Sequence, residues 1–353
     1  MPQIDSYLTE VLQKRGSDLH FLAGDPPRIR LYGDLSSLRP EKLAPEMVKA
    51  SLYEIMPKPA VERFEAKDGA DFAYTLGDQG RFRVNVMRQL NGMGAVFRAI
   101  PSKALTLDEL KMPEAVRQMC RANNGLILVT GKTGSGKSTT LAAMIDDINR
   151  RMKGHILTIE DPIEFVHERK SCLISQREIG VHSMSFASAL HSALREDPDV
   201  ILVGELRDLE TMSIAVTAAE MGILVMGTLH TNGAAQTVDR MVNVFPTDKQ
   251  SHVRTMLSTS LRGVLSQQLL QRADKGGRVA ALEILVNTAA SANLIRQGKL
   301  DQLENTMQSG GALGMRTMDT AIQQLLESGQ ITGKEAYKKA INKAKFEALK
   351  EAG

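Results

Sequence analysis

The sequence predicts an α/β protein with two parts: a small α+β domain, followed by a larger domain with a mostly parallel sheet covered by helices. Three observations lead to this prediction. The 353 residues exceed what one hydrophobic core usually holds, which favours two domains. Short strand-like runs that contain arginines occur within residues 1–100. From about residue 124 onward, apolar strands alternate with amphipathic helices, a pattern typical of parallel sheets.

The first domain is predicted over residues 1–100. Apolar residues at helical spacing indicate a helix that begins near Ile4 and is closed by Gly16. Turn residues separate the strand-like runs that follow. The later elements are expected to be strands over 19–22 and 28–32 with a turn at 33–34, a helix over 45–64, and strands over 81–86 and 94–98. Residues 101–113 are interpreted as a linker.

The second domain is predicted over residues 114–353. Its first part is expected to contain strands over 126–129, 156–159, 200–203 and 224–228 and helices over 138–150, 186–194 and 209–221. Beyond Pro246 the pattern is helical, with one strand-like run over 279–285. A last helix is expected to begin at a capping box, Thr332 and Glu335, and to continue through Ala344, with many lysines on one side. These lysines indicate a solvated face or, alternatively, a surface for an acidic partner or a membrane.

The composition limits the compartment and the partners. Lysine and arginine total 44 against 41 acidic residues, a net charge of +3, which neither indicates nor excludes nucleic-acid binding. The two cysteines, Cys120 and Cys172, form no disulfide or zinc pattern and fit a reducing cytoplasm. No run of about 20 apolar residues is present for a membrane span, and the first residues do not resemble a signal peptide. We therefore expect a cytoplasmic protein that reaches a membrane only through a partner.

The strongest functional signal is a glycine-rich run between a predicted strand and a predicted helix. Its glycines allow the backbone to curl so that N–H groups face phosphate oxygens, and the helix start adds the positive end of its dipole. Lys137 is expected to reach the β- and γ-phosphates, and the Ser138 hydroxyl to hold Mg²⁺. No Asn-Lys-x-Asp motif for guanine is present, so the predicted cofactors are ATP and Mg²⁺. The predicted nucleotide-binding residues are Gly131, Thr133, Gly134, Ser135, Gly136, Lys137, Ser138 and Thr139.

Acidic residues follow two of the predicted strands, where such a site needs carboxylates for the metal and for the attacking water. One cluster contains Glu160, Asp161 and Glu164, and the other acid is Glu205, after the strand over 200–203. The residues alone do not say which carboxylate is the base and which serves Mg²⁺. Solvated loop charges are the alternative interpretation.

One histidine and several arginines are further candidates. His230 comes just after a predicted strand, where it would face the nucleotide and sense the γ-phosphate; a structural histidine is the alternative. The first domain's strands carry Arg81, Arg83, Arg88 and Arg98, and the two-residue period of a strand places the first two on one face. They form either an exposed face or arginine fingers for a neighbouring subunit's ATP, which raise rates by ~10³–10⁵ where they operate.

Taken in order, these motifs resemble the secretion-ATPase superfamily, most closely its pilus-retraction branch, over nearly the whole chain. The resemblance implies a PAS-like first domain and a RecA-like P-loop ATPase domain with a helical C-terminal region. It also implies a hexameric ring that hydrolyses ATP and turns a platform protein in the inner membrane, so that pilins leave the pilus and twitching motility results. The matching segments are 16–20, 26–30, 81–85, 96–101, 159–165, 195–205, 228–231 and 314–319.

The resemblance also implies roles for individual residues. Glu164 would be the general base on the attacking water, and Glu205 would support Mg²⁺, largely through water. His230 would couple the γ-phosphate to the domain arrangement, and Arg83 and Arg98 would act on an adjacent subunit's ATP. The implied partners are further copies of the chain, the platform protein and a paralogous retraction ATPase, with no nucleic acid. The predicted catalytic set is Glu164, Glu205, Lys137, His230, Arg83 and Arg98.

One stretch departs from the family pattern. The retraction-linked motif Ala-Ile-Arg-Asn-Leu-Ile-Arg-Glu corresponds here to residues 290–297, Ala-Ser-Ala-Asn-Leu-Ile-Arg-Gln. Because three residues are replaced, an accessory retraction motor is an alternative. A pilus-extension or type II secretion assembly ATPase usually carries a four-cysteine zinc insertion, which two cysteines cannot form. A nucleic-acid-dependent motor and a nucleotide-gated binding protein are the remaining alternatives.

Overall fold

The structure is a computed structural model that describes residues 2–31, 34–100, 104–274 and 276–350. The chain forms two compact units. The first contains the residues up to Ala104 and the segments Asp161–Val166 and Glu178–His182, and the second contains the remainder. Residues 101–103 of the predicted linker lie outside the described residues, and the domain boundaries at 100 and 114 stay a proposal.

A six-stranded antiparallel sheet organises the first unit. Its strands are β1 (Asp18–Leu22), β2 (Arg28–Leu31), β3 (Asp34–Ser37), β4 (Gly69–Leu76), β5 (Gly80–Gln89) and β6 (Gly92–Ile100). They lie in the order β3-β2-β1-β6-β5-β4. The sequence did not predict β3, whose four residues are all exposed, or β4, where buried residues do not alternate regularly. Tyr32 and Gly33, predicted as a strand end and a turn, lie outside the described residues.

Three helices pack with this sheet around a core that includes Phe21, Phe64, Phe82 and Phe97, all fully buried. They are α1 (Asp5–Gln13), α2 (Pro45–Ile55) and α3 (Lys58–Lys67). The single helix predicted over 45–64 is wrong, because Pro57 separates two helices. Proline lacks an N–H donor and restricts the residue before it to extended conformations, and the residue before Pro57 has a ψ of 125°.

The end of α1 also differs from the prediction. The helix stops at Gln13, and the left-handed residue behind it is Arg15, with a φ of 55°. Gly16 is required for another reason: a Cβ at this position would overlap the side chain of Ile29. The glycine therefore allows the chain to pass close to β2.

A seven-stranded, mostly parallel sheet organises the second unit, as predicted. Its strands are β7 (Gly125–Thr130), β8 (His155–Glu160), β9 (Leu173–Glu178), β10 (Val200–Val203), β11 (Leu224–Leu229), β12 (Leu261–Gln271) and β13 (Arg278–Val286). They lie in the order β13-β12-β7-β11-β10-β8-β9. The five strands from β12 to β8 are parallel neighbours, and β13 runs antiparallel to β12.

Helices connect these strands and form the C-terminal part. They are α4 (Glu114–Cys120), α5 (Lys137–Arg151), α6 (Phe186–Ala193), α7 (Leu209–Glu220), α8 (Ala234–Asn243), α9 (Thr247–Ser260), α10 (Ala289–Gln297), α11 (Leu303–Ser309), α12 (Met318–Glu327) and α13 (Gly333–Lys339). Short 3-10 helices cover Leu300–Gln302, Gly311–Leu313 and Lys343–Leu349. Side chains cap several of the helices, for example Asp208, which accepts from the N–H of Thr211 at 2.8 Å as in other N-terminal caps.

Two predictions for the C-terminal part are wrong. The region after Pro246 is not helical throughout, because β12 forms an 11-residue strand there. Its leucines and glutamines do not favour a strand locally, but pairing with β7 and β13 on both sides outweighs local preference. The last helix ends at Lys339, because Asp319 accepts hydrogen bonds from the N–H groups of Ile341 at 2.7 Å and Asn342 at 2.9 Å and so holds a turn.

Candidate active site

The glycine-rich run forms a loop between β7 and α5. Gly131, Gly134 and Gly136 have φ values of +139°, +78° and +90°, a region that residues with a side chain rarely adopt. A Cβ at Gly131 would overlap the main-chain oxygen of Gln267. The loop therefore depends on glycine both for its backbone angles and for its close packing. Backbone of this kind can form a concave nest for anions.

Lys137 is the first residue of α5 and is buried. Its Nζ donates to the main-chain oxygens of Gly131 at 2.8 Å and Lys132 at 3.3 Å, so its positive charge lies within the loop. The Ser135 hydroxyl is also buried, and it has no hydrogen-bond partner among the described residues. Buried hydroxyls normally have one. A phosphate oxygen would supply it, so the loop fits a nucleotide.

Ser138 and Thr139 lie in the first turn of α5 and are half-buried. Both are thus close in sequence and space to Lys137, as the motif predicts. Thr133 is exposed in the loop. A helix start beside a glycine loop favours negative charge through its unpaired N–H groups and its dipole. The first turn of α5 is therefore suited to bind phosphate and to hold a metal ion that accompanies it.

The carboxyl ends of the parallel strands bring two further predicted residues to the same sheet edge as the loop. The N–H of Gly131 donates to the main-chain oxygen of Leu229 at 3.3 Å, so His230 follows directly beside the start of the loop. Glu205 follows β10, the next strand along. The Nε2 of His230 lies 3.2 Å from Oε1 of Glu205. The structure therefore brings this acid and this histidine together.

The carboxylate of Glu205 is also bound by Arg207, whose Nη2 lies 2.7 Å from Oε2. Burial alone would raise the pKa of Glu205, but the hydrogen bond and charge of Arg207, together with His230, lower it below its usual value. The ionised form is thus stabilised. A negative charge at this position is suited to a hydrated Mg²⁺ ion.

Glu160, at the end of β8, is buried and accepts hydrogen bonds from Thr158 Oγ1 at 2.7 Å and from Gln176 Nε2 at 3.4 Å. Glu164 is half-buried between Ile163 and Phe165, which are buried. It belongs to a segment of the first unit, whereas the glycine loop belongs to the second. The assignment of Glu164 as general base stays a proposal.

The arginines of the first unit lie on β5 and β6. Arg83 and Arg98 are direct cross-strand neighbours, with 40% and 69% of their side chains exposed. Arg98 donates to Asp18 at 2.9 Å, and Arg83 lies 3.9 Å from Asp71. Their cationic groups thus share one accessible face of the sheet, which is the arrangement that action on another molecule requires.

Arg81, on the same strand, has a different role. It lies 2.8 Å from Glu178, and the same Glu178 oxygen accepts from the N–H of Ile163 at 3.1 Å. The Glu178 side chain is 6% exposed. Arg81 therefore stabilises the segment that carries Glu164 within the first unit, and the sequence-based interpretation as a possible arginine finger does not apply to this contact.

A cavity of about 730 Å³ adjoins the glycine loop within the second unit. Near the loop it is lined by Gly136, Thr139 and Gln267, and farther away by three arginines. The three are Arg272, Arg278 and Arg316. The sequence does not reveal Gln267 or this cavity, because the pattern beyond Pro246 predicts a helical region and gives no sign that residues 261–271 lie beside the loop.

The described part of the chain has no cluster of three or more histidine, cysteine, aspartate or glutamate side chains suited to a metal ion. At nucleotide sites Mg²⁺ is usually held by oxygens of the nucleotide as well as by protein groups. Among the described residues, no helix combines the length and apolar character needed to cross a membrane.

The glycine loop lies between a strand of a parallel sheet and the next helix, and Glu205 and His230 lie at neighbouring strand ends. Together these features define a P-loop nucleotide-binding protein. Within this class the chain belongs to the family described as type II/IV secretion system protein, whose model matches residues 1–350. The resemblance inferred from the motifs and the predicted α/β fold are confirmed.

Individual relatives are similar over most of their length. The chain is 51% identical over 337 residues to the type IV pilus retraction ATPase PilT of Pseudomonas aeruginosa, covering 94% of this chain and 98% of that protein. It is 50% identical over 316 residues to a twitching motility protein of Neisseria gonorrhoeae, covering 90% and 84%. The crystal structure of a pilus retraction motor PilT with bound ADP matches with a TM-score of 0.90 and 42% identity, covering 98% of this chain and 99% of that one.

Proposed function

We propose that this chain is an ATP-hydrolysing motor that powers the retraction of type IV pili and thereby twitching motility. The observation that carries the proposal is the glycine loop, with a buried Lys137 over it and a buried, unpartnered Ser135 hydroxyl within it. Similarity to a pilus retraction ATPase over 94% of the chain connects this site with a motor function.

The proposed ATP site divides the work among residues of the second unit. Main-chain N–H groups of the loop bind the phosphate oxygens, and Lys137 neutralises charge on the β- and γ-phosphates. Ser138 and Glu205 would hold Mg²⁺, the latter largely through water. When bound, the ion neutralises charge on the transferred phosphoryl group. The cavity beside Gly136 and Thr139 has room for the remainder of the nucleotide.

Hydrolysis needs a group that accepts a proton from the attacking water, and we assign this role to Glu164. His230 is exposed at a strand end and contacts Glu205, so it is suited to respond to the γ-phosphate and to transmit its loss.

Arg83 and Arg98 are proposed to act on the ATP of an adjacent subunit. Both are exposed on one face of the first unit's sheet, which leaves them accessible to a second copy of the chain. A cation delivered in this way stabilises charge in the transition state. The proposal implies a ring, and a homohexamer is the form we assign.

The proposed location is the cytoplasmic face of the inner membrane, through a pilus platform protein, without a membrane-inserted segment of the chain itself. A paralogous retraction ATPase is a further proposed partner, and no nucleic acid is expected. The 290–297 stretch forms most of α10. Ser291, one of the residues that differ from the family motif, forms a capping box with Thr288 and so stabilises the helix start.

A genetic experiment tests the function. The gene is deleted in the organism that encodes it, and twitching and surface pili are scored, with complementation by the wild type, Lys137→Ala and the control Lys153→Ala, an exposed lysine near the far end of α5. We expect the deletion strain to lose twitching and to carry excess surface pili. Only the wild-type gene and the Lys153→Ala control should restore twitching and normal piliation. Absent pili would instead support an extension or secretion assembly motor, and twitching that persists at reduced force would support an accessory motor.

A further inference from the structure

A glutamine outside the glycine-rich motif packs against the loop. Gln267 lies on β12 and is 3% exposed. Strand β12 runs parallel to β7, with Ser266 opposite Thr130. Gln267 therefore stands beside Gly131, the first residue of the loop, although 136 positions separate the two in sequence.

Both ends of the Gln267 amide are used. Its Nε2 donates to the main-chain oxygen of Ser135 at 2.7 Å, and its Oε1 accepts from Thr140 Oγ1 at 2.8 Å. The side chain thus joins the loop to the first turns of α5. Since a trans peptide is planar, holding the Ser135 oxygen also sets the direction of the next N–H, that of Gly136, away from Gln267.

The close approach of Gln267 also explains two of the loop glycines. A Cβ at Gly131 would overlap the Gln267 main-chain oxygen, and a Cβ at Gly136 would lie 2.7 Å from its Nε2. Only an amide supplies a donor and an acceptor on one side chain of this length. A glutamate would place an acceptor against the Ser135 oxygen, and an apolar residue would leave that buried oxygen and the Thr140 hydroxyl without this partner.

We propose that Gln267 is a positioning residue that holds the loop in its phosphate-binding conformation before the nucleotide arrives. This inference rests on the proposed ATP binding and deepens it. A loop that is ordered in advance loses less freedom when its ligand binds. The loss of Gln267 therefore weakens nucleotide binding, whereas the chemical step on bound ATP changes little.

The test compares the purified full-length wild type with Gln267→Met, which keeps the length of the side chain without its polar groups. A fluorescent ADP analogue measures Kd, inorganic pyrophosphate competes for the phosphate site, and steady-state ATPase assays give KM and kcat. We expect both dissociation constants and KM to rise about tenfold, the net effect of about one hydrogen bond, with kcat changed less than about twofold. Gln268→Met, which replaces the neighbouring half-buried glutamine, serves as the control and should match the wild type.

A second pair of variants keeps the test decisive if Gln267→Met does not fold. Thr140→Val removes the hydroxyl that donates to Gln267 and should weaken ADP binding, whereas Thr140→Ser keeps that hydroxyl and should bind ADP like the wild type.

Two results would overturn the inference. One is wild-type affinity for ADP and pyrophosphate in both Gln267→Met and Thr140→Val, and the other is a lower kcat with unchanged Kd. A lower melting temperature without nucleotide, with Kd unchanged, would show a purely structural role. If the wild type itself bound no ADP, the proposed function would fail and the inference with it.

Discussion

His230 and Glu205 are joined at the carboxyl ends of adjacent strands, with the imidazole Nε2 3.2 Å from the carboxylate Oε1. Arg207 binds the other oxygen of the same carboxylate at 2.7 Å. The two contacts hold the Glu205 side chain in one orientation beside the glycine loop's strand edge. A change in the position of His230 therefore alters the contacts of Glu205, the residue that we assign to Mg²⁺.

Replacing Arg207 with glutamine should move the acid limb of the ATPase pH profile to higher pH. The pKa of Glu205 is lowered despite burial, chiefly through Arg207, so the carboxylate stays ionised until the pH falls through that lowered value. Without the guanidinium, only His230 opposes the effect of burial, so this pKa rises. A series of kcat/KM measurements from acid to neutral pH tests the shift. Arg169→Gln, at an exposed site of the same unit, should leave the limb in place; an unmoved limb in Arg207→Gln would contradict the prediction.

Replacing Lys137 with alanine should weaken ATP binding about 100-fold and ADP binding less. The change removes charge-assisted contacts with the β- and γ-phosphates, each of about 1.5–3 kcal/mol, which water replaces only in part. The affinity of a fluorescent nucleotide measures the effect. Lys153→Ala removes the same side chain outside the loop and should bind normally. Equal binding by Lys137→Ala and the wild type would show that the loop is not the phosphate site.

Subunits that lack Arg98 and subunits that lack Glu164 should complement each other when mixed. If the arginine acts across a subunit interface, Arg98→Ala and Glu164→Gln each remove hydrolysis alone, by about 10³-fold for the arginine. In mixed rings some interfaces combine an intact base with an intact arginine. ATPase activity of the mixture should exceed that of either variant.

The matched control for this experiment is Arg28→Ala, on β2 of the same sheet, whose guanidinium lies 3.8 Å from Asp25. It should retain wild-type activity. A mixture of Arg98→Ala and Glu164→Gln no more active than its components would place the arginine in its own subunit's site. A monomer in light scattering with ATP and Mg²⁺ at all concentrations would also exclude the ring.

Replacing Glu283 with glutamine should lower the thermal stability of the second unit. The buried carboxylate accepts from the N–H of Ala234 at 2.7 Å and from that of Met318 at 3.1 Å, and so links the starts of α8 and α12. An amide can accept at only one end, which leaves one buried N–H opposed by another donor, at a cost of about 1–3 kcal/mol.

Thermal unfolding followed by circular dichroism should show a melting temperature lower by several degrees. Glu327→Gln, an exposed change at the end of α12, should not shift it. Burial raises the pKa of Glu283. The part of its contribution to stability that depends on protonation, as distinct from its two accepted hydrogen bonds, is therefore full below the pKa of the unfolded chain and is lost as the pH rises through the higher folded value. The glutamine variant should lack this part of the pH dependence, and a variant as stable as the wild type at every pH would contradict the role.

Much of the site follows from local sequence. The glycines at 131, 134 and 136 with Lys137 and Ser138 form a contiguous pattern whose physical requirement, a curled backbone before a helix, is local. Buried parallel strands are also continuous apolar runs, so the strands predicted over 126–129 and 200–203 agree with the structure to about one residue. Glu205 and His230 are predictable for the same reason, because they follow such strands closely.

Other features depend on residues far apart in sequence. Strand β12 has no local strand pattern and forms because β7 and β13 provide partners on both sides. The contact of Gln267 with Ser135 arises only from this pairing. Two other contacts connect segments that are distant in sequence. Arg81 forms a salt bridge with Glu178, and Glu283 accepts hydrogen bonds from the starts of two helices.

The α/β class, the phosphate loop and the family of this protein can all be predicted from the amino-acid sequence, because each depends on short contiguous patterns of glycine, charge and apolar residues. The polar groups that hold the loop in place can be identified only in the folded chain. Their identity depends on which strands become neighbours in the sheet, and neighbouring strands are set by the packing of the whole core. The glycine loop is therefore visible in the sequence, while Gln267, which we propose holds it ready for phosphate, is visible only in the fold.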